Sequence, residues 1–385
     1  MKKTIIIGSG LSGLSCAHYL DKKKFDVKIY EKESYLGGRV ATEVVNGFKC
    51  DVGFQVLLNN YEEAKKIGVY DKLDLKYFNS GASIYNKNKN LNLYNPFYHP
   101  IKFLQSNILK ILTLSDMINL FRLFISSKLM EKRVGELFQN RFSNKSQKLF
   151  LNPFFKGIFL SKSLDTDTNF FLKIFKKFAL GKASLPSNGM HMLPKMIAEN
   201  SNLNISFNSE VKKVNGNKVY FKNGESEAFD YLIIASPIHN ISQMTEIDTK
   251  MQYNENKTIY ISSSKNMLNK SILLVSDDYE TNSIQCLTNI SKSYSDNNFN
   301  LYSLSSLNTE ATDEKLINEF KEIMGIESND IRFIKSYTIK EALPSSTTKI
   351  KSKKNIYFCG DWMEEPSIDG ALKSGRIIAN KLNQI

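Results

Sequence analysis

The residues whose types and spacing suit chemistry begin at Gly8-Ser9-Gly10-Leu11-Ser12-Gly13. An apolar run, Thr4-Ile5-Ile6-Ile7, leads into this Gly-x-Gly-x-x-Gly, and an apolar helical pattern follows through Ala17 and Leu20. A strand, turn and helix of this kind hold a pyrophosphate. Gly8 permits the tight turn, Gly10 lets backbone approach the phosphates, and Gly13 lets the helix pack close on the strand. The helix N-terminus adds free N–H groups and the positive end of its dipole. Glu31, with Lys32 after it, closes a second strand, Asp26-Val27-Lys28-Ile29-Tyr30. It lies at about the 20-residue spacing of a carboxylate that holds a ribose hydroxyl. An acid here disfavours a 2′-phosphate and argues for NAD or FAD over NADP.

Two more segments have the same character. Gly37-Gly38-Arg39 brings backbone close to a ligand and adds a planar guanidinium fork suited to phosphate. Near the other end, the strand Asn355-Ile356-Tyr357-Phe358-Cys359 runs into Gly360-Asp361, and a helix rich in small residues starts near Ser367-Ile368-Asp369-Gly370-Ala371. Between them, Gly47 to Leu57 reads as a hairpin strand that enters a buried, glycine-softened segment with Gly53, Phe54, Gln55 and Val56.

Taken jointly, these motifs resemble the FAD-dependent amine oxidase and phytoene desaturase superfamily. The resemblance implies that the first glycine loop and Glu31 hold the pyrophosphate and adenosine, and that Gly37, Gly38 and Arg39 complete the phosphate cradle. It implies that Gly53, Phe54, Gln55 and Val56 run past the flavin ring, that Val211 flanks the adenine, and that the turn at Ala235 returns near the cofactor. Gly360 and Asp361 would bind the ribityl chain, and Ser367, Ile368 and Ala371 would aim N–H groups at the pyrimidine edge. Reduction places negative charge at that edge, which a helix N-terminus stabilises. No cysteine stands in the terminal Ser-Ile-Asp-Gly segment, so the FAD is expected to be non-covalent.

The expected fold is α/β: a Rossmann-like FAD-binding domain with a discontinuous α+β substrate domain, a mixed sheet plus a helical cap. Because both ends of the chain build one site, the FAD-binding domain is expected over 1–78, 185–250 and 345–385. The substrate domain then takes 79–184 and 251–344, with the cap at about 97–182. Within the cap, apolar residues recur at three- and four-residue spacing from Ile101 to Met130, with Lys102, Lys110, Arg122 and Lys128 among them. They fit an ordinary helical bundle, a greasy tunnel or a membrane-facing surface. Phe154, Phe155, Phe159, Phe170, Phe171, Phe175 and Phe178 fit a pocket wall or plain core equally well. Thr258 to Tyr337 reads as strands around one helix, Asp313–Met324, and joins the Ser80–Tyr94 hairpin in a second sheet.

Composition bounds the remainder. With 42% hydrophobic and 24% charged residues, the 385-residue chain is globular rather than disordered. The net charge of +13 is dispersed, which disfavours nucleic acid as a partner. Four cysteines without metal spacing and four histidines suggest neither zinc nor a disulfide framework. Met1-Lys2-Lys3 before an apolar run reads as the start of a strand, since the run ends in the glycine loop and not at a cleavage site. No stretch reaches the ~18 apolar residues of a membrane span. The expected location is cytoplasmic, with peripheral membrane contact left open.

The resemblance implies an oxidoreductase that dehydrogenates a C–C or C–N bond of an apolar small molecule, isoprenoid- or tetrapyrrole-like or an amine. A redox-neutral isomerase of a polyene and a non-catalytic FAD-binding protein at a membrane are the alternatives. One nucleotide fingerprint leaves oxygen, a quinone or another carrier as electron acceptor. No side chain is assigned as catalytic, and the lysine that assists the flavin in many amine oxidases of this superfamily has no evident place in the sequence.

Overall fold

Three consecutive isoleucines, Ile5 to Ile7, need burial on both faces, and a parallel sheet supplies it. They lie in β1 (Lys2–Ile7), which pairs in parallel with β2 (Phe25–Tyr30) on one side and Tyr231–Ile234 on the other. Ile205–Ser206 and Ile356–Phe358 extend the two edges, again in parallel. The strand beside β1 and the outer edge strand thus come from residues far down the chain. The structure is a computed structural model, and it describes residues 1–53, 56–87, 90–245, 247, 249–326 and 330–385.

Helix α1 (Leu11–Tyr19) leaves β1 at the glycine loop and packs against the C-terminal helix, Ile368–Asn383. Small residues make that approach possible. A Cβ on Gly375 would lie 2.2 Å from the Ser12 carbonyl oxygen, and the Ser15 hydroxyl donates to the Leu372 carbonyl at 2.7 Å.

The second sheet has seven strands. Its order is Ile331–Pro344, Tyr253–Ser263, Asn300–Ser306, Thr281–Cys286, Ile272–Leu274, Ala82–Ile84 and Leu91–Leu93. All neighbours are antiparallel except Ile272–Leu274 with Ala82–Ile84, where the early hairpin joins the late strands. The sheet expected from Thr258–Tyr337 plus that hairpin is present, as is the helix Asp313–Met324. Helices from Pro100 to Leu180 cover this sheet and have a core of their own, centred on Phe138, Phe155 and Phe171. The mixed α/β fold is the one expected. All four cysteines are buried and free of disulfides.

An ion-pair chain joins the cap to the C-terminal helix and to the helix Glu62–Lys66. Lys177, on the cap helix Thr168–Leu180, donates to Asp369 Oδ2 at 2.6 Å, and Asp369 Oδ1 accepts from the Glu63 N–H at 2.9 Å. Glu63 lies on α2 (Glu62–Lys66) and takes a bidentate fork from Arg376 at 2.6 and 2.9 Å. Burial pushes the Glu63 carboxyl up, but hydrogen bonds from Arg376 and Lys66 outweigh it and hold the carboxyl below its ordinary 4.5. A depressed carboxylate stabilises the fold above its unfolded pKa, and that stabilisation is lost as pH falls through the folded value. Glu63→Gln is expected to cost about 2 kcal/mol at neutral pH. It should also flatten the acid limb of stability below about pH 4.5, as read by urea titrations across pH.

Candidate functional site

The front of the glycine loop is open. A Cβ built on Gly10 meets no atom within 4 Å, whereas one on Gly13 would sit 2.1 Å from the Gly8 carbonyl oxygen. Gly13 is therefore a packing glycine, and Gly10 faces free space, as backbone that receives a ligand must. No side chain caps the start of α1, and its first turn holds no acidic residue. Its leading N–H groups are thus available to an anion. Leu11 and Ser12 form that turn and are buried.

Glu31 is also buried. Its Oε2 accepts from the Ser9 N–H and the Ser9 hydroxyl, each at 2.8 Å, and its Oε1 accepts from the Glu33 N–H at 3.0 Å. A carboxylate offers about four acceptor positions, so one remains for a ribose hydroxyl. Lys32 points elsewhere: its ammonium is exposed, 3.5 Å from Glu33. Gly37 donates its N–H to the Ser9 carbonyl at 3.0 Å, and Gly38 lies over Gly10. Ala235 donates to the Ile7 carbonyl at 2.9 Å, so its turn abuts the same loop. Val211 begins its strand two residues after Ser209, whose N–H bonds the Glu31 carbonyl.

The two ends of the chain meet through Arg39. Its guanidinium donates to Asp361 Oδ1 and to the Ala342 carbonyl, both at 2.9 Å. Burial works against the charge on Arg39, but Asp361 more than offsets it and holds the pKa above the ordinary value. The phosphate fork expected from the sequence is thus first a clamp between segments, with three of its five N–H donors left over. Asp361 is buried, and its Oδ1 also accepts from the Trp362 N–H at 3.1 Å. The carboxylate has acceptor positions beyond these two hydrogen bonds, and they suit a ligand hydroxyl. Gly360 is fixed by the Ser374 hydroxyl, which accepts its N–H at 3.0 Å. Ser367 caps the C-terminal helix by accepting from the Gly370 N–H at 2.9 Å, and the Ala371 N–H bonds the Ser367 carbonyl. The N–H groups of Ile368 and Asp369 precede that pairing and stay free at the helix start.

These features fit a dinucleotide with a polyhydroxyl chain: an open glycine cradle, a ribose acceptor, a second buried acceptor, and a helix start at the far end. Phe54 and Gln55 lie outside the described residues.

A cavity of about 830 Å³ adjoins this cleft. At its base it touches Arg39, Gly53, Val56, Pro366 and Ser367. Its walls carry Phe154, Phe155, Phe159, Phe170, Phe175 and Phe178, while Phe171 is fully buried in the helical core. Six of the seven phenylalanines therefore border the cavity, and two of those, Phe155 and Phe159, belong to the buried helical core as well. The strand that delivers Gly53 is anchored by the buried Asp51, which accepts from Thr42, the Met190 N–H and Tyr294 at 2.5, 2.9 and 2.8 Å. Burial raises this carboxyl to about 6 against those hydrogen bonds.

Sequence reasoning missed the polar floor of the cavity. Asn256 and Thr258 face it from one strand, Ser283 and Gln285 from another. Lys257, between the first pair, turns to the opposite face and pairs with Asp313 at 2.8 Å. The signal was polar residues two apart on strands whose neighbours are apolar or paired elsewhere, as the two-residue period of a strand requires. Gln285 is buried and its Oε1 has no hydrogen-bond partner among the described residues; Asn282 Oδ1 and Ser80 Oγ, on the same cavity, are also unpaired.

A family model described as flavin containing amine oxidoreductase matches residues 11–265, more than half of the chain. Over 53 residues the chain is 45% identical to a 1-hydroxycarotenoid 3,4-desaturase of Flavobacterium sp. (strain P99-3); that match spans 14% of this chain and only 11% of the relative. An oxidoreductase from Methanosarcina mazei superposes with a TM-score of 0.78 at 13% identity, over 98% of this chain and all of that one. Cyclohexylamine oxidase from Brevibacterium oxydans IH-35A superposes at 0.73 and 12% identity, over 100% and 99% of the two chains. At such identities the two structures are evidence of a shared fold.

Proposed function

The chain belongs to the flavin-containing amine oxidoreductase family, and from that premise we propose that it holds FAD non-covalently and dehydrogenates a C–C or C–N bond in an elongated, apolar substrate. The observation that carries this reading is the continuity of one cavity, walled by phenylalanine in the cap and ending at Arg39, Gly53, Val56 and Ser367. Its volume falls within the roughly 300–1,000 Å³ of small-molecule sites. None of the four cysteines borders it, which supports a cofactor without a thioether link.

When bound, FAD supplies the acceptor for a hydride. The chain's own residues bind and orient. The start of α1 receives the pyrophosphate, Glu31 the adenosine ribose, and Asp361 a ribityl hydroxyl. The free N–H groups at Ile368 and Asp369 offset negative charge at the far end of the cleft. The phenylalanine walls hold the substrate and exclude water. Oxygen, a quinone or another carrier would take up the reducing equivalents.

The relative's name, a hydroxycarotenoid desaturase, and the polar floor point to a substrate that carries one hydroxyl or carbonyl on a hydrocarbon body. Gln285 is the group placed to meet it. Gln285→Leu is expected to stabilise the free protein by about 1 kcal/mol, because a buried amide oxygen without a partner disappears. It should weaken the polar-ended substrate about tenfold while sparing its hydrocarbon analogue, as read by KM for the pair.

The test is purification followed by acid precipitation and anaerobic titration. The expected result is a visible flavin spectrum that passes into the supernatant, bleaching by a polyene or amine, and a product lighter by two hydrogens. Protein that takes up no FAD overturns the reading, and so does flavin that no apolar substrate reduces. A product of unchanged mass assigns the isomerase alternative.

A further inference from the structure

Three cap helices turn one face inward and leave the other in water. They are α3 (Pro100–Gln105), α4 (Ile108–Ile111) and α5 (Leu114–Ile125). Inside, Phe103, Ile108, Ile111, Met117 and Leu120 share one cluster with Ala82 and Leu274 of the sheet. Outside stand Ile101 and Leu104 on α3, Leu109 on α4, and Leu114, Ile118, Phe121 and Ile125 on α5, each between 53% and 74% exposed. The α5 residues recur at four, three and four positions, which is a single stripe along a helix. A chain folded for water seldom leaves so many large apolar side chains on neighbouring helices.

Charge says what covers them. Between Phe97 and Met130 the sequence has four cations, Lys102, Lys110, Arg122 and Lys128, all exposed. The one carboxylate of that stretch, Asp116, is buried and committed to Thr113 and Ser143. An apolar face whose own helices expose cations and no carboxylate repels a second copy of itself and attracts an anionic lipid surface. The cavity adds a third observation. Phe97 and Phe121 belong to the exposed face and also line the cavity, and Phe97 packs on Phe124 of α5 with ring centroids 4.7 Å apart. The mouth of the cavity therefore opens within the patch.

We propose that the outer face of α3, α4 and α5 seats on an anionic bilayer, and that the cavity mouth at Phe97 and Phe121 opens toward the acyl chains. An apolar ligand then passes from lipid to cavity without crossing water. No helix among the described residues is long and apolar enough to cross a membrane, so the contact is peripheral.

The test is co-sedimentation of the purified full chain with phosphatidylcholine vesicles with and without phosphatidylglycerol. Binding is expected to the anionic vesicles at low salt and to fall steeply as salt rises. Lys110→Ala with Arg122→Ala should weaken it about 30-fold, from about 1 kcal/mol per cation near the surface. Ile118→Glu with Ile125→Glu should abolish it while the thermal transition stays in place, since both side chains are exposed. Three results overturn the proposal: no binding by the unaltered protein, binding that neither pair of substitutions reduces, or a dimer in sedimentation velocity that the glutamate pair dissolves. The readout needs no turnover, so it fails or succeeds apart from the proposed flavin chemistry.

Discussion

Gly375→Ala is expected to destabilise the protein by at least about 3 kcal/mol and to release its flavin. The added Cβ would lie 2.2 Å from the Ser12 carbonyl oxygen, 2.7 Å from the Cys16 nitrogen and 2.9 Å from the Ser15 Cβ. Two of these are backbone atoms of α1, so no flexible side chain can yield. Overpacking typically costs 1–3 kcal/mol and more where the neighbour is rigid. The relief available is a shift of α1, whose first turn is the proposed pyrophosphate seat. Stability and cofactor retention should therefore fall together. Ile377→Ala, at a partly exposed position two residues on, should change stability by no more than about 0.5 kcal/mol. Urea titration and the visible absorbance that survives gel filtration measure both quantities. A Gly375→Ala protein with unaltered midpoint and full flavin would show that the first and last helices do not meet as described.

Arg39→Met comes next in size, at about 3–5 kcal/mol, because it strands the carboxylate of Asp361. The Asp361 side chain is only 4% exposed, and Arg39 is its one cationic partner among the described residues. Asp361→Asn alone should cost less, since the amide still accepts from the Trp362 N–H and the guanidinium keeps the Ala342 carbonyl. Adding Asp361→Asn to Arg39→Met should recover part of the stability. A double-mutant cycle reads the coupling directly, and strictly additive effects would mean that the pair carries no joint stabilisation.

The cleft was far more legible in the sequence than the cavity. Gly8 to Gly13, Glu31 and Gly37 to Arg39 lie within about thirty residues of one another, and local geometry shapes them: a turn, a helix start and a carboxylate at fixed spacing. Gly360-Asp361 and Ser367 to Ala371 were legible for the same reason, each being a strand end or a helix start. Arg39 shows the limit. Its type announced a fork for an anion, but nothing local could say that its first partner is Asp361, 322 positions away. Lys177 on Asp369 and Arg376 on Glu63 were hidden in the same manner, since ion pairs between distant segments have no signature in the order of residues.

The cap shows the complementary limit. Three- and four-residue spacing in Ile101 to Ile125 announced amphipathic helices, yet such a pattern has two sides and no label for the inner one. Packing chose: Ile108, Ile111 and Leu123 went inside, and Leu104, Ile118 and Phe121 stayed out. The phenylalanines were ambiguous because a wall and a core are equally apolar; only the empty space beside them separates Phe154 from Phe171.

What the sequence determined by itself is the strand–glycine–helix chemistry at both termini, because those motifs depend on backbone conformation and on spacing within about thirty residues. What only the tertiary structure decided is which distant charges pair, which face of each cap helix meets water, and where Gln285 finds a void. Those outcomes depend on surfaces brought together after the local elements exist, and burial and pairing, unlike φ and ψ, are properties of neighbours in space.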